Sequence, residues 1–124
     1  DLVDVGRIEH NLADKKLSAA FISRIAHPHE KKSAPIQSTQ LKRKAEYWAA
    51  RFAAKEAFSK ALGTGLGKTV ALKDVGVSKD SAGKPILVFS QTLQKYLFSK
   101  KIKKSHVSLT HSSGYAFAVV ILES

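Results

Sequence analysis

The sequence contains no cysteine, which excludes a disulfide framework, a cysteine-ligated zinc site and a thiol nucleophile. It contains no methionine either, so the sequence does not open on an initiator residue, and we expect residues upstream of Asp1 in the full protein. No apolar run approaches the roughly 20 residues of a membrane-spanning helix. The opening DLVDVGRIEH has neither the basic nor the apolar stretch of a secretory signal, so the expected location is the cytoplasm. Acidic residues are scarce, 10 against 21 Lys and Arg, giving a formal charge of +11. Half of the acids lie in residues 1–30, so the whole positive excess falls after residue 30.

What is present suits one domain over residues 1–124: a length of 124 and 44% hydrophobic residues support a core but no deep pocket for a large ligand. A substrate of any size is expected in a surface cleft or between subunits. The charge favours a polyanionic partner, whether nucleic acid, anionic membrane, a phosphate-rich cofactor or an acidic protein, and composition does not choose among them.

Leu2, Val3, Val5 and Ile8 read as the end of a strand running into a turn or helix. Leu17, Ala20, Phe21 and Ile25 predict a helix over Lys15 to Ile25 that stops before His27-Pro28. The polar stretch from Glu30 to Gln40 reads as a loop. The strongest element is a helix from Leu41 to Leu62, rich in Ala, Lys, Arg and Glu, with Gly63 as its cap. Its apolar stripe is Leu41, Ala45, Trp48, Ala49, Phe52 and Ala53, and steps of four from Phe52 land on Glu56 and Lys60. Strands follow in TVALKDVGV, with Val70, Leu72, Val75 and Val77, and in PILVF, joined by a turn at DSAGKP. Ser90 is placed to cap a short helix through Leu93, Leu97 and Phe98. The clearest hairpin is His106 to Thr110, a turn at HSSG, and Tyr115 to Leu122, with Phe117, Val119 and Ile121 alternating against smaller neighbours. The expected fold class is α+β, one long central helix packed on an antiparallel sheet.

A carboxylate on a core-facing stripe needs a partner or a ligand. Glu56 and Lys60 therefore form either a solvated i, i+4 pair or a chemical site, with Glu56 as metal ligand or base and Lys60 as a phosphate contact. GTGLGK, Gly63 to Lys68, lets backbone N–H groups approach a phosphate, but its spacing is not that of a P-loop, and taken alone a helix cap with a turn explains it better. Lys42, Arg43 and Lys44 at the helix start, with Arg51 and Lys55 further along, form a basic side; such a run is usually a solvated face, yet cations at a helix N-terminus invite an anion. His106 opens a strand as a packing residue, and Asp1 and Asp4 become Mg²⁺ candidates where a second carboxylate comes close.

WAARFAAKEAFSKALGTGLG, taken with DLVDVGRIE at the start, GKP at Gly83 to Pro85, and HVSLTHSSGYAFAVVILE at the end, resembles the holo-acyl-carrier-protein synthases, the small bacterial 4′-phosphopantetheinyl transferases. The likeness runs through the chain in order. It implies transfer of the 4′-phosphopantetheine arm of coenzyme A to a serine of apo acyl carrier protein, with release of adenosine 3′,5′-bisphosphate, in support of fatty acid biosynthesis. It implies Mg²⁺, or Mn²⁺ in its place, on Asp1 and Glu56, and Lys60 beside the pyrophosphate as a proton donor. Arg51 and His106 match contacts to the coenzyme phosphates, Lys42 and Arg43 match contacts at its 3′-phosphate and adenosine end, and Gly63, Thr64, Gly65, Lys84 and Pro85 match further coenzyme-binding positions. Arg7 and Arg24 match the surface that meets the acidic carrier helix. The resemblance further implies a homotrimer with sites between subunits. The alternative is a small basic nucleic-acid-binding module without catalysis, suggested by charge alone, and the chain lacks the aromatic-basic strand of an RRM.

Overall fold

The computed structural model describes residues 1–34 and 41–124. The chain opens with β1 (Leu2–Asp4), α1 (Val5–Ala13), α2 (Lys15–Ile25) and α3 (Pro28–Ser33), and continues with the long α4 (Leu41–Leu62). A 3₁₀ turn at Leu72–Asp74 leads into β2 (Val75–Lys79), then β3 (Pro85–Phe89), α5 (Gln91–Ser99), β4 (Lys104–Ser112) and β5 (Tyr115–Glu123). The class is α+β, with the antiparallel strands in two groups: β1-β5-β4, and the pair β2-β3.

Side chains that compete with the backbone set the short helices. Asp4 accepts from the Gly6 N–H and Asp14 from Lys16 and Leu17, satisfying N–H groups that have no partner within the helix. Ser90 does the same for α5 through Leu93. α3 corrects the loop expected from Glu30 onward: His27 caps it through the His29 N–H, Pro28 fits its first turn, and Glu30 Oε1 accepts from the His27 N–H in return. The rest of that expected loop, 35–40, lies outside the described residues. A second correction concerns TVALKDVGV, where the strand begins only at Val75 because Asp74 turns the preceding residues by accepting from Ala71 N–H.

α4 lies across the three-stranded sheet and carries α1 on another side. Ala45, Trp48, Ala49, Ala53, Ala54 and Phe58 are buried, with Leu41 and Phe52 partly so. Opposite them, β5 turns in its small residues: Ala116 and Ala118 are buried, while Tyr115, Phe117, Val119 and Ile121 stand exposed with Leu2 of β1. Alanine facing alanine brings helix and sheet close together, and it leaves the larger side chains on the outer face. At Gly76 of β2 the backbone runs against the start of α3, where an added Cβ would lie 2.6 Å from the Cβ of His27.

Candidate active site and anion groove

One group of predicted residues gathers where β1 meets α4. The backbone of Asp1 bonds to Ala118 in both directions, its N–H donating to the Ala118 carbonyl and its carbonyl accepting from Ala118 N–H at 2.9 Å. That fixes the Asp1 carboxylate, 16% exposed, against α4, where Lys60 Nζ approaches it at 2.7 Å. Lys60 therefore pairs with Asp1, and not with Glu56 as the solvated-pair reading expected. Glu56 is half-buried one turn earlier on α4, and its carboxylate has no hydrogen bond or ion pair among the described residues. Three or more clustered metal-ligating side chains do not occur among the described residues. The Asp1 carboxylate, with Glu56 carried one turn from Lys60 on α4, fits Mg²⁺, which is usually bound by one or two carboxylates and completes its shell with water and phosphate oxygens.

A second group lines a groove of about 900 Å³. Arg43, Tyr47 and Arg51 of α4 form one wall, with Lys79 and Pro85 of the β2-β3 pair and His111 of β4 opposite. The cations make it a site for an anion. Its one carboxylate wall residue, Glu46, is held by His111 at 2.8 Å. The Arg51 guanidinium lies over the Tyr47 ring, Cζ 3.7 Å from the centroid. Burial raises the pKa of Tyr47 and keeps its phenol a donor, to the Glu30 carbonyl at 2.9 Å.

The other predicted residues lie apart from these two groups. Lys42 is exposed beside Arg43, and Lys84 beside Pro85. Gly63 and Gly65 follow α4 with φ of +85° and +66°, and a Cβ on either would meet nothing within 4 Å, so left-handed backbone and not lack of space requires glycine there. Thr64 is exposed between them. His106 is not the packing residue its strand position suggested: it is exposed on the outer face of the sheet and bonds Glu123 at 2.8 Å. Asp4, the other Mg²⁺ candidate, is used as the α1 cap. Arg7 and Arg24 are exposed on α1 and α2.

Lys55 corrects the basic-side reading outright. It is fully buried, donating to Glu30 Oε1 at 2.6 Å and to the carbonyls of Leu72 and Val75, while Glu30 Oε2 accepts from the Val77 N–H. Burial lowers the Lys55 pKa, against the opposing pull of Glu30. Sequence reasoning missed Glu30 and Tyr47. The available signals were the His-Pro-His-Glu spacing of a capping box and the i, i+4 spacing of Tyr47 and Arg51.

A family model described as the 4'-phosphopantetheinyl transferase superfamily matches residues 3–120. The holo-[acyl-carrier-protein] synthase of Ruthia magnifica is 40% identical over 124 residues, all of this chain and 93% of the relative. The crystal structure of the holo-[acyl-carrier-protein] synthase from Neisseria meningitidis superposes with a TM-score of 0.87 at 35% identity, over 100% of this chain and 94% of that one. The Helicobacter pylori enzyme in complex with coenzyme A gives a TM-score of 0.82 at 29% identity, over 99% of this chain and 96% of that one.

Proposed function

Since the chain belongs to the 4'-phosphopantetheinyl transferase superfamily, we propose from its site that it is a holo-[acyl-carrier-protein] synthase, moving 4′-phosphopantetheine from coenzyme A to a serine of apo acyl carrier protein. The serine oxygen forms a bond to the β-phosphorus as the bond from that phosphorus to the oxygen of adenosine 3′,5′-bisphosphate breaks. The serine proton must leave, and negative charge must be met on the leaving and non-bridging oxygens. Arg43 and Arg51 hold the coenzyme phosphates in the groove, and Lys60 stands ready to stabilise or protonate the leaving oxygen. Glu56 is the base that draws off the serine proton. Asp1 and Glu56 would hold Mg²⁺, which when bound neutralises pyrophosphate charge. Lys42, Gly63, Thr64, Gly65, Lys84 and His106 complete the coenzyme surface, and Arg7 and Arg24 meet the acidic carrier.

The observation that carries this reading is the 2.7 Å Asp1–Lys60 pair, one helical turn from a Glu56 carboxylate that has no partner among the described residues, on the same helix that walls a cationic groove. At roughly 100° per residue, Glu56 falls about 140° and Lys60 about 180° round α4 from Arg51. One copy therefore turns its phosphate groove and its acid-base group to different sides. Together with the exposed row Leu2, Tyr115, Phe117, Val119 and Ile121, this supports a homotrimer in which neighbouring copies complete one another's sites.

The test is incubation with coenzyme A, Mg²⁺ and apo carrier protein. A 4′-phosphopantetheine mass gain on the carrier serine is expected, and folded protein that gives none refutes the assignment. Light scattering should return three times 13.5 kDa.

A further inference from the structure

Among the basic side chains of the groove, Arg51 is half-buried where Arg43 and Lys79 are exposed, so water cannot readily satisfy what the protein leaves unpaired. Its Nε is buried with no hydrogen bond among the described residues, and its Nη1 reaches only the Tyr47 carbonyl, at 3.5 Å. No carboxylate pairs with it among the described residues. A guanidinium carries five N–H donors on a long, rotatable stem, so one left this bare has little of its own to keep it aimed at a phosphate.

The constraint comes from Tyr47, one turn earlier on α4. Its ring lies under the guanidinium, 3.7 Å from Cζ to centroid, an attraction that needs no N–H and so leaves the donors for a ligand. The ring is itself held at two points. It meets the buried Trp48 edge to face with centroids 5.0 Å apart, and its hydroxyl donates to the Glu30 carbonyl at 2.9 Å. Glu30 cannot drift, because its carboxylate is bonded to Lys55 Nζ and to the N–H groups of His27 and Val77. A line of fixed contacts thus runs from the core through Glu30 and Tyr47 to Arg51.

We infer that Tyr47 is a positioning residue for coenzyme A binding, acting through Arg51. The inference rests on the reading of Arg51 as a phosphate contact. Removing the ring frees the guanidinium, so the cost falls on the affinity for coenzyme A and on its KM, while kcat at saturating coenzyme stays near wild type.

The test is a double-mutant cycle on the full chain, with coenzyme A titrated calorimetrically and KM and kcat measured against a carrier protein. Arg51→Ala should weaken coenzyme A binding, and Tyr47→Leu should weaken it roughly 3- to 20-fold. Tyr47→Phe keeps the ring and its packing on Trp48 but loses the bond to Glu30, and should cost about two- to fivefold. In the Arg51→Ala background neither Tyr47 substitution should add a further loss, since the group they position is gone. Additive losses overturn the inference and leave the groove reading standing. Arg51→Ala with unchanged affinity overturns both. Unchanged affinity in Tyr47→Leu and Tyr47→Phe, or in Tyr47→Phe alone where the leucine variant does not fold, overturns the inference.

Discussion

Replacing Lys55 by methionine removes a cation from the interior and strands the Glu30 carboxylate there. Both side chains are 0% exposed, so water cannot take the place of the lost partner. Breaking a buried pair in this way costs about 3–5 kcal/mol. In a domain of this size, where 1 kcal/mol moves Tm by about 3–6 °C, the expected fall is roughly 10–30 °C. The more discriminating variant is the double Glu30→Leu/Lys55→Met, because a pair whose members satisfy only each other is often replaced by apolar residues without loss. This pair does more: Lys55 satisfies the carbonyl of Val75 and Glu30 the N–H of Val77, both in buried bonds on β2. An unsatisfied buried group costs about 1–3 kcal/mol, so the double variant should remain about 2–6 kcal/mol less stable than wild type. Urea denaturation of wild type, both single variants and the double variant measures this. A double variant as stable as wild type would show that the two side chains serve only each other, and would refute the reasoning.

The pKa of His27 is lowered chiefly by burial, so the folded state favours neutral imidazole; that stability is present above the unfolded value of 6.5 and is lost as pH falls through the lower folded value. His27→Asn keeps a capping acceptor without a titrating ring, and denaturation midpoints should then vary less with pH below 6.5; an unchanged pH dependence refutes the role of the cap. Gly76→Ala would set a methyl 2.6 Å from the His27 Cβ and should cost about 1–3 kcal/mol, read as a lower Tm, with no change counting against the close approach. Lys60→Ala should lower kcat far more than coenzyme A affinity while hardly changing stability, because an ion pair with so exposed a lysine contributes about 0–1 kcal/mol. Glu56→Gln should raise the Mg²⁺ concentration needed for half-maximal turnover, and a variant with an unchanged Mg²⁺ dependence would remove Glu56 from the ligand set.

Local signals carried most of the architecture. Helix α4 was legible because its composition and cap act within a few residues, and so were α2, β3 and the cap at Ser90. Lys55 was not read correctly, although it stands seven residues after Trp48 on the core side of α4. That spacing was there to be read, but the residue's charge put it on the basic side, and the partner that makes a buried lysine tolerable is Glu30, on an element read as a loop from its polarity. Alternation along β5 separated two faces without saying which is inner, and the larger side chains proved to be the outer ones because α4 offers alanine methyls to the sheet. For the site, residue types and helical steps singled out Glu56 and Lys60. Pairing Lys60 with Asp1 depends on strand β1 lying beside β5, a contact between opposite ends of the chain that no short-range pattern encodes.

The alanine-on-alanine contact between α4 and β5 also acts as a spacer. Asp1 hangs on Ala118 by two backbone bonds, and Lys60 rides on α4, so the separation of carboxylate and ammonium is transmitted through methyl groups. An alanine has no side-chain rotamer to exchange. A spacer of leucines could relax by hopping between rotamers, and the distance across the site would drift with each hop. Here that soft coordinate is missing, so the backbones that carry Asp1 and Lys60 keep a fixed separation, and only the lysine stem is left to adjust.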